Sequence, residues 1–129
     1  SEQLAHEVAP FGVRVAIIEP GITRSSIFAK NTDTPDASGA YAEHYGRMLQ
    51  FYAAGHTHAS DASEVADVIL HAIETDQPKL RYQVSWGANE IVAGRAALSD
   101  EDWVELGRAA TRDEYLAGFH AAFGLDLTT

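Results

Sequence analysis

The sequence has no cysteine, few basic residues and no long apolar run, and each absence excludes a class of protein. Without cysteine, the 129 residues can form neither a disulfide framework nor a thiolate metal site, which is typical of a reducing cytoplasm. Nine basic residues against 19 acidic ones give a net charge of −10, so the surface repels phosphate backbones and anionic lipids. No apolar run approaches the roughly 18 residues of a membrane span, and no signal-peptide pattern opens the chain. We therefore expect a cytoplasmic protein that binds neither nucleic acid nor membranes.

The length and composition are those of one globular domain, with 46% hydrophobic and 22% charged residues. Ser1 is followed at once by good helix formers, and Leu4 and Val8 stand four apart on one helical face. Because this helix has no start signal of its own, we interpret the chain as part of a longer protein.

Two predicted strands with a helix between them indicate an α/β fold. Residues 13–18 form a nearly continuous β-branched run, which predicts a strand buried on both faces and ended by Pro20 and Gly21. Residues 80–86 alternate between apolar and polar, which predicts a half-buried edge strand. Residues 61–74 combine a capping box with the apolar spacing of an amphipathic helix. A strand, helix, strand order places the two strands parallel.

Residues 22–58 are longer than a simple connection requires, which predicts an inserted loop over the sheet. Its polar first part is followed by a predicted short helix at 41–54. The aromatic residues of this helix can wall a substrate pocket or pack as ordinary lid residues, and both interpretations stay open.

Residues 90–129 are predicted to form a helical C-terminal extension. Ser99 and Thr111 each precede an acidic residue at the spacing of a helix start, and Gly124 is placed to end the last helix.

The order of these features resembles the C-terminal part of the short-chain dehydrogenase/reductase family. In parallel sheets, ligands bind beyond the carboxyl ends of the strands, where Gly21 leaves room for a ligand beside the backbone. The resemblance covers about the first 90 residues. The matching segments are residues 4–8, 11–15, 19–25, 63–66 and 80–84.

This resemblance implies a Rossmann-type doubly wound parallel sheet, two strands of which lie in this chain, and NAD or NADP as the cofactor. Pro20, Gly21 and Ile22 are implied to shape the nicotinamide pocket. The backbone of Thr23 is implied to meet the carboxamide, and Ser25 stands where the family usually has threonine. A serine keeps the hydroxyl, so the hydrogen bond is retained.

The family also implies a small-molecule alcohol or carbonyl substrate and a homodimer or homotetramer. In this chain the substrate-loop candidates are Ile27, Phe28, Tyr41 and Tyr45.

The chain lacks the catalytic features of that family. The family uses a serine and a Tyr-x-x-x-Lys pair, but residues four before Lys30 and Lys79 are Ser26 and Thr75. None of the ten glycines has the Gly-x-x-x-Gly-x-Gly spacing that seats a pyrophosphate. We expect both features before Ser1 in a longer protein, and we expect the chain alone to be inactive.

Other interpretations remain. His56 and His58 suggest a metal site, but a third ligand is missing, so we expect solvated loop histidines. The acidic residues 100–105 complement a helix dipole without an ion. We expect neighbours to hold the Glu19 carboxylate, which could otherwise act as an acid or base. A non-enzymatic acidic α/β module that binds a protein partner is the alternative function.

Overall fold

A computed structural model describes residues 1–30 and 38–128, apart from the side chains of residues 28 and 29. The strands are β1 (Ile17–Pro20) and β2 (Arg81–Val84). The helices are α1 (Glu2–Val8), α2 (Ile27–Lys30), α3 (Ala42–Thr57), α4 (Ala62–Glu74), α5 (Ala88–Ala97), α6 (Asp100–Gly107) and α7 (Arg112–Phe123), and a 3₁₀ turn (Ala9–Phe11) follows α1.

The two strands form a parallel pair, as predicted. Ile17 lies opposite Arg81, and Pro20 lies opposite Val84. Helix α4 packs against both strands, and α5 packs against β2 and α7. This arrangement confirms the α/β fold class and places the ends of both strands at one edge.

The first strand differs from its prediction in both position and burial. It begins only at Ile17, whose N–H donates to Leu80 O at 2.7 Å, and continues through Pro20. Val13 is 54% exposed, and residues 17–19 are half-buried. The prediction of a strand at 13–18 buried on both faces is therefore wrong for the described part of the chain. A parallel strand is buried on both faces only where helices cover both sides of its sheet. Among the residues that the structure describes, β1 pairs only with β2, and the sheet has two strands.

The second strand is shorter than the predicted 80–86. It ends at Val84 because Ser85 has a left-handed φ of 74°, which turns the chain out of the ladder. Gly87 follows at φ 81° and begins α5 without a side-chain cap. The β2–α5 turn (residues 85–87) is therefore tight and defined by its backbone.

Helix α4 is stabilised at both of its ends. Asp61 and Glu64 form the predicted capping box, with the Asp61 N–H donating to Glu64 Oε1 at 3.3 Å. The Arg14 guanidinium donates to the C-terminal carbonyls of Ile73 at 2.8 Å and Thr75 at 2.9 Å. A cation at this end also complements the helix dipole.

The C-terminal extension follows its predicted start and stop signals. Ser99 Oγ accepts from the Asp102 N–H at 3.0 Å, and Thr111 Oγ1 accepts from the Glu114 N–H at 3.2 Å. Gly124 ends α7 with a left-handed φ of 67°.

The apolar core lies between α3 and the C-terminal segment rather than on the sheet. Ala54 of α3 meets Phe119 and Phe123 of α7, whose rings are 4.6 Å apart. Leu125 and Leu127 complete this core from the tail after α7. The predicted insertion and the predicted extension are thus packed together as one unit.

Candidate cofactor and substrate site

The carboxyl end of β1 continues into a turn, here called the Pro-Gly turn (residues 20–25). The Gly21 N–H donates to Val84 O at 2.8 Å, and the Ile22 N–H donates to Trp86 O at 3.0 Å. The turn is therefore held against the β2–α5 turn by backbone hydrogen bonds.

Gly21 is required by a close backbone approach. A Cβ at this position would lie 2.1 Å from Trp86 O and 2.9 Å from Ala88 N, distances that side chains do not tolerate. Its φ lies outside the left-handed region, so conformational freedom is not the reason for glycine here. The sequence analysis attributed the missing side chain to the approach of a ligand, whereas the structure shows the β2–α5 turn in that place.

Hydrogen bonds from two segments hold Thr23 and its neighbours in place. Thr23 Oγ1 lies 3.0 Å from Ser85 Oγ. On the other side, the Arg24 N–H donates to Ser60 O at 2.8 Å, and the Ser60 N–H donates to Ile22 O at 3.3 Å. The Pro-Gly turn is therefore a preorganised element, which is the property that a binding site needs.

Ser25 lies at the exposed exit of the turn. Its Oγ accepts from the Ile27 N–H at 3.4 Å and starts α2. A hydroxyl that accepts one hydrogen bond still has its own proton to donate. Ser25 can therefore cap α2 and donate to a ligand at the same time.

Two of the substrate-loop candidates, Tyr41 and Tyr45, lie farther from the turn. Helix α3 packs closely against the turn at Gly55, since a Cβ there would lie 2.6 Å from Ile22 Cγ1. At 1.5 Å per helical residue, Tyr45 lies about 15 Å and Tyr41 about 21 Å from Gly55 along α3. Both line a cavity of about 320 Å³ with His44 and Met48.

The other two candidates belong to α2. Ile27 is exposed near the turn, and the Phe28 side chain lies outside the described residues. The structure therefore brings residues 20–25 together and places Tyr41 and Tyr45 at the far end of α3.

Trp86, an aromatic residue that the sequence analysis did not assign to the site, lies next to the turn. Trp86 stacks on His58, with ring centroids 5.7 Å apart and planes 17° apart, and its ring also lies 5.7 Å from Phe51. His56 lies in the last turn of α3 and His58 directly follows it, rather than in an open loop. No group of three His, Cys, Asp or Glu side chains suited to a metal occurs in the described ranges. The glycine at position 87 was the sequence signal for a turn next to Trp86.

Glu19 is held by its neighbours, as expected. Its carboxylate accepts from Arg81 and Gln83 of β2, and Arg81 also binds Glu2. The hydrogen bond from Arg81 lowers the pKa of the Glu2 carboxyl. These contacts tie α1 and β1 to β2 and favour a structural role for Glu19.

A parallel βαβ unit is the building block of an open α/β sheet, and ligands of such sheets bind beyond the carboxyl ends of the strands, where this turn lies. Three relatives agree with this class. The chain is 32% identical to Oxidoreductase BOA17 of Botryotinia fuckeliana over 115 residues, which cover 85% of the chain and 42% of that protein. It is 30% identical over 111 residues to the uncharacterized oxidoreductase YusZ of Bacillus subtilis, covering 82% of the chain and 40% of the relative. It is 33% identical over 104 residues to Retinol dehydrogenase 16 of Mus musculus, covering 68% of the chain and 32% of the relative.

A solved structure agrees with these relatives. A short-chain dehydrogenase from Streptomyces avermitilis matches 86% of the chain and 42% of its own length, with a TM-score of 0.54 and 32% sequence identity. No family model matches the chain. The chain belongs to the short-chain dehydrogenase/reductase family and spans about two fifths of the length of the first two relatives. None of the described helices is long and apolar enough to cross a membrane.

Proposed function

We propose that this chain forms the nicotinamide side and the substrate loop of an NAD(P)-dependent oxidoreductase that interconverts an alcohol and a carbonyl. The observation that carries the proposal is the preorganised Pro-Gly turn at the carboxyl end of a parallel strand, in a chain of this family. The retinol dehydrogenase among the relatives is named for an alcohol, which supports the reaction class.

The donor set of the turn fits the nicotinamide end of the cofactor. A carboxamide needs both hydrogen-bond donors and acceptors. The Thr23 backbone has an N–H and a carbonyl, and the Ser25 hydroxyl can act as either donor or acceptor. We assign Pro20, Gly21 and Ile22 to the pocket wall and the Thr23 backbone and Ser25 hydroxyl to the carboxamide. The bound cofactor supplies or accepts the hydride, and these residues hold and orient its ring.

We assign the catalytic Ser-Tyr-Lys set and the pyrophosphate-binding glycines to a part of the protein that precedes Ser1. The support is that the chain spans 42% of one relative and 40% of another. Neither Lys30 nor Lys79 has a tyrosine four residues before it. The 129-residue chain is therefore expected to have no turnover by itself.

We further propose that the complete protein is a homodimer or homotetramer, with α1 and the β2 region near its interfaces. Apolar side chains on this side of the chain are exposed, among them Leu4 and Leu80. An exposed apolar surface of this kind typically packs against another unit.

The test compares the full-length protein with the 129-residue chain. Reduction of NAD or NADP by secondary alcohols is followed by absorbance, and cofactor binding is measured by calorimetry. We expect turnover and cofactor binding from the full-length protein and neither from the chain. Turnover by the chain alone would contradict the placement of the catalytic set, and a full-length protein that binds neither cofactor would contradict the function.

A further inference from the structure

Ser85 of the β2–α5 turn has a backbone conformation that suits glycine. Its φ is 74°, and the other described residues with a positive φ are all glycines: Gly12, Gly39, Gly87 and Gly124. A Cβ makes this conformation unfavourable, whereas glycine adopts it without that cost. Residues held in strained backbone conformations cluster at active sites and ligand-binding segments. The presence of serine here is therefore explained by its side chain and not by its backbone.

The Ser85 hydroxyl binds the Pro-Gly turn. Its Oγ lies 3.0 Å from Thr23 Oγ1, and both residues are half-buried. Thr23 Oγ1 donates its single proton to Gly21 O at 3.5 Å, so Ser85 is the donor in the hydrogen bond between the two hydroxyls. Two hydrogen bonds in series therefore join the β2–α5 turn, through Thr23, to Gly21.

The backbone N–H and carbonyl of Thr23 are left for a ligand. On either side of Thr23, the Ser60 N–H donates to Ile22 O at 3.3 Å and the Arg24 N–H donates to Ser60 O at 2.8 Å. Because the C=O and N–H of a trans peptide point in opposite directions, the Thr23 N–H and carbonyl face away from Ser60. Neither has a hydrogen-bond partner in the part of the chain that the structure describes. The side chain of Thr23 is therefore what holds this residue to the β2–α5 turn.

We propose that Ser85 is a positioning residue for the nicotinamide carboxamide, because its hydroxyl fixes Thr23 with the free backbone N–H and carbonyl toward the ligand. The proposal rests on the proposed function. Ser85 acts through Thr23 and does not itself touch the cofactor. The left-handed backbone at Ser85 is the stability cost of placing its hydroxyl 3.0 Å from Thr23 Oγ1.

Two substitutions at Ser85 separate the hydroxyl from the backbone strain. Ser85→Ala and Ser85→Gly both remove the hydroxyl, but only Ser85→Gly also removes the Cβ that makes a φ of 74° unfavourable. In thermal unfolding of the full-length protein, we expect the Tm of Ser85→Gly to lie about 2 °C or more above that of Ser85→Ala. Gly124→Ala is the control for strain alone, because φ is 67° there and a Cβ meets nothing within 4 Å. Its Tm should fall by a similar amount.

Cofactor affinity should follow the hydroxyl and not the stability. We expect both Ser85 variants to weaken binding of the dinucleotide that the wild type prefers, NAD(H) or NADP(H), by about 2- to 10-fold, and Gly124→Ala to bind it as the wild type does. ADP-ribose, or its 2′-phosphate for an NADP-dependent protein, lacks the nicotinamide. It should bind equally to the wild type and to all three variants. Calorimetry on the full-length protein measures each affinity.

A double-mutant cycle tests whether Ser85 acts through Thr23. Thr23→Val removes the hydroxyl of the partner and keeps a side chain of similar shape. We expect Ser85→Ala combined with Thr23→Val to weaken dinucleotide binding no more than Thr23→Val alone, because the two hydroxyls share one hydrogen bond. Additive losses would overturn the proposed link between the two residues.

The outcomes distinguish this proposal from the proposed function. If the wild type binds neither dinucleotide, the oxidoreductase assignment fails and the role of Ser85 fails with it. If the wild type binds and both Ser85 variants match it, only the Ser85 proposal is overturned. A purely structural role, which also overturns the proposal, would appear as wild-type affinity in Ser85→Gly or as an equal loss of ADP-ribose binding.

Discussion

The helical end and the sheet end of the molecule differ in how much apolar surface each covers. At the helical end, α3, α7 and the tail bury a common aromatic and leucine core. At the sheet end, α1, α4 and the segment between α1 and β1 leave large apolar side chains exposed, including Leu4, Phe11, Val13, Ile69, Leu70 and Ile73. The comparison teaches that the insertion and the extension share a core of their own, whereas large apolar side chains at the sheet end are left uncovered in the described part of the chain.

The largest expected effect is on the free energy of unfolding, and it distinguishes the helical end from the sheet end. Phe119 is buried in the core, so Phe119→Ala should lower the free energy of unfolding by about 3 to 5 kcal/mol in both the chain and the full-length protein. Ile73 is 64% exposed, so Ile73→Ala should change stability by no more than about 0.5 kcal/mol in the chain. Urea unfolding of the chain and of the full-length protein measures these costs. A clearly larger cost of Ile73→Ala in the full-length protein is expected, and equal small costs in both would show that α4 stays exposed.

The Pro-Gly turn should tolerate a methyl group less well than a helix surface does. In Gly21→Ala, the new Cβ would lie 2.1 Å from Trp86 O, and we expect a cost of about 1 to 3 kcal/mol or more. The control Gly46→Ala adds its methyl group in open space on α3 and should stabilise by about 0.5 to 1 kcal/mol. Thermal unfolding gives both values, and an unchanged Gly21→Ala would contradict the close approach.

A buried arginine and an exposed arginine make the next comparison. Arg47→Met leaves the carbonyls of Gly107 and Ala109 without their donor, which should cost about 1 to 3 kcal/mol. Arg24 pairs with Asp61 at 3.0 Å, but both side chains are mostly exposed, so Arg24→Met should cost about 0 to 1 kcal/mol. Urea unfolding that gave the two variants the same stability would show that Arg47 does not tie α3 to α6.

A smaller effect is expected in cofactor binding. Ser25→Ala removes one proposed hydrogen bond to the carboxamide, and we expect a loss of about 0.5 to 1.5 kcal/mol in NAD(P)(H) affinity. Ser26→Ala, at the neighbouring position, is the control and should bind as the wild type does. Calorimetry on the full-length protein checks both, and equal affinities would remove Ser25 from the site.

The smallest expected effect is a loss of stability at high pH that arises from Tyr115. Burial raises the pKa of this phenol, and the nearby positive charge of Arg47 only partly opposes that rise. The native state therefore holds the proton more tightly than the unfolded state, whose tyrosines ionise near pH 10 or so. The stability from this difference is fully present below about pH 10 and is lost as the pH rises through the native pKa. Tyr115→Phe should lose less stability between about pH 9 and pH 11 than the wild type, and parallel urea-unfolding curves would contradict this.

The sequence by itself determined the elements whose signals are local. The capping box of Asp61 and Glu64, the cap at Thr111 and the stop at Gly124 each depend on residues within one helical turn. The parallel strand pair was also predictable, because the handedness of a strand, helix, strand unit leaves one arrangement. The Pro-Gly turn was found because it follows a strand directly.

Only the tertiary structure decided what these elements meet. It showed that Gly21 accommodates the backbone of Trp86, that Arg47 binds carbonyls about 60 residues away, and that α3 and α6 enclose a cavity. It also showed that β1 starts at Ile17, because a strand begins where a partner pairs with it and not where β-branched residues begin. Each of these contacts joins residues far apart in the chain, so no local pattern contains them.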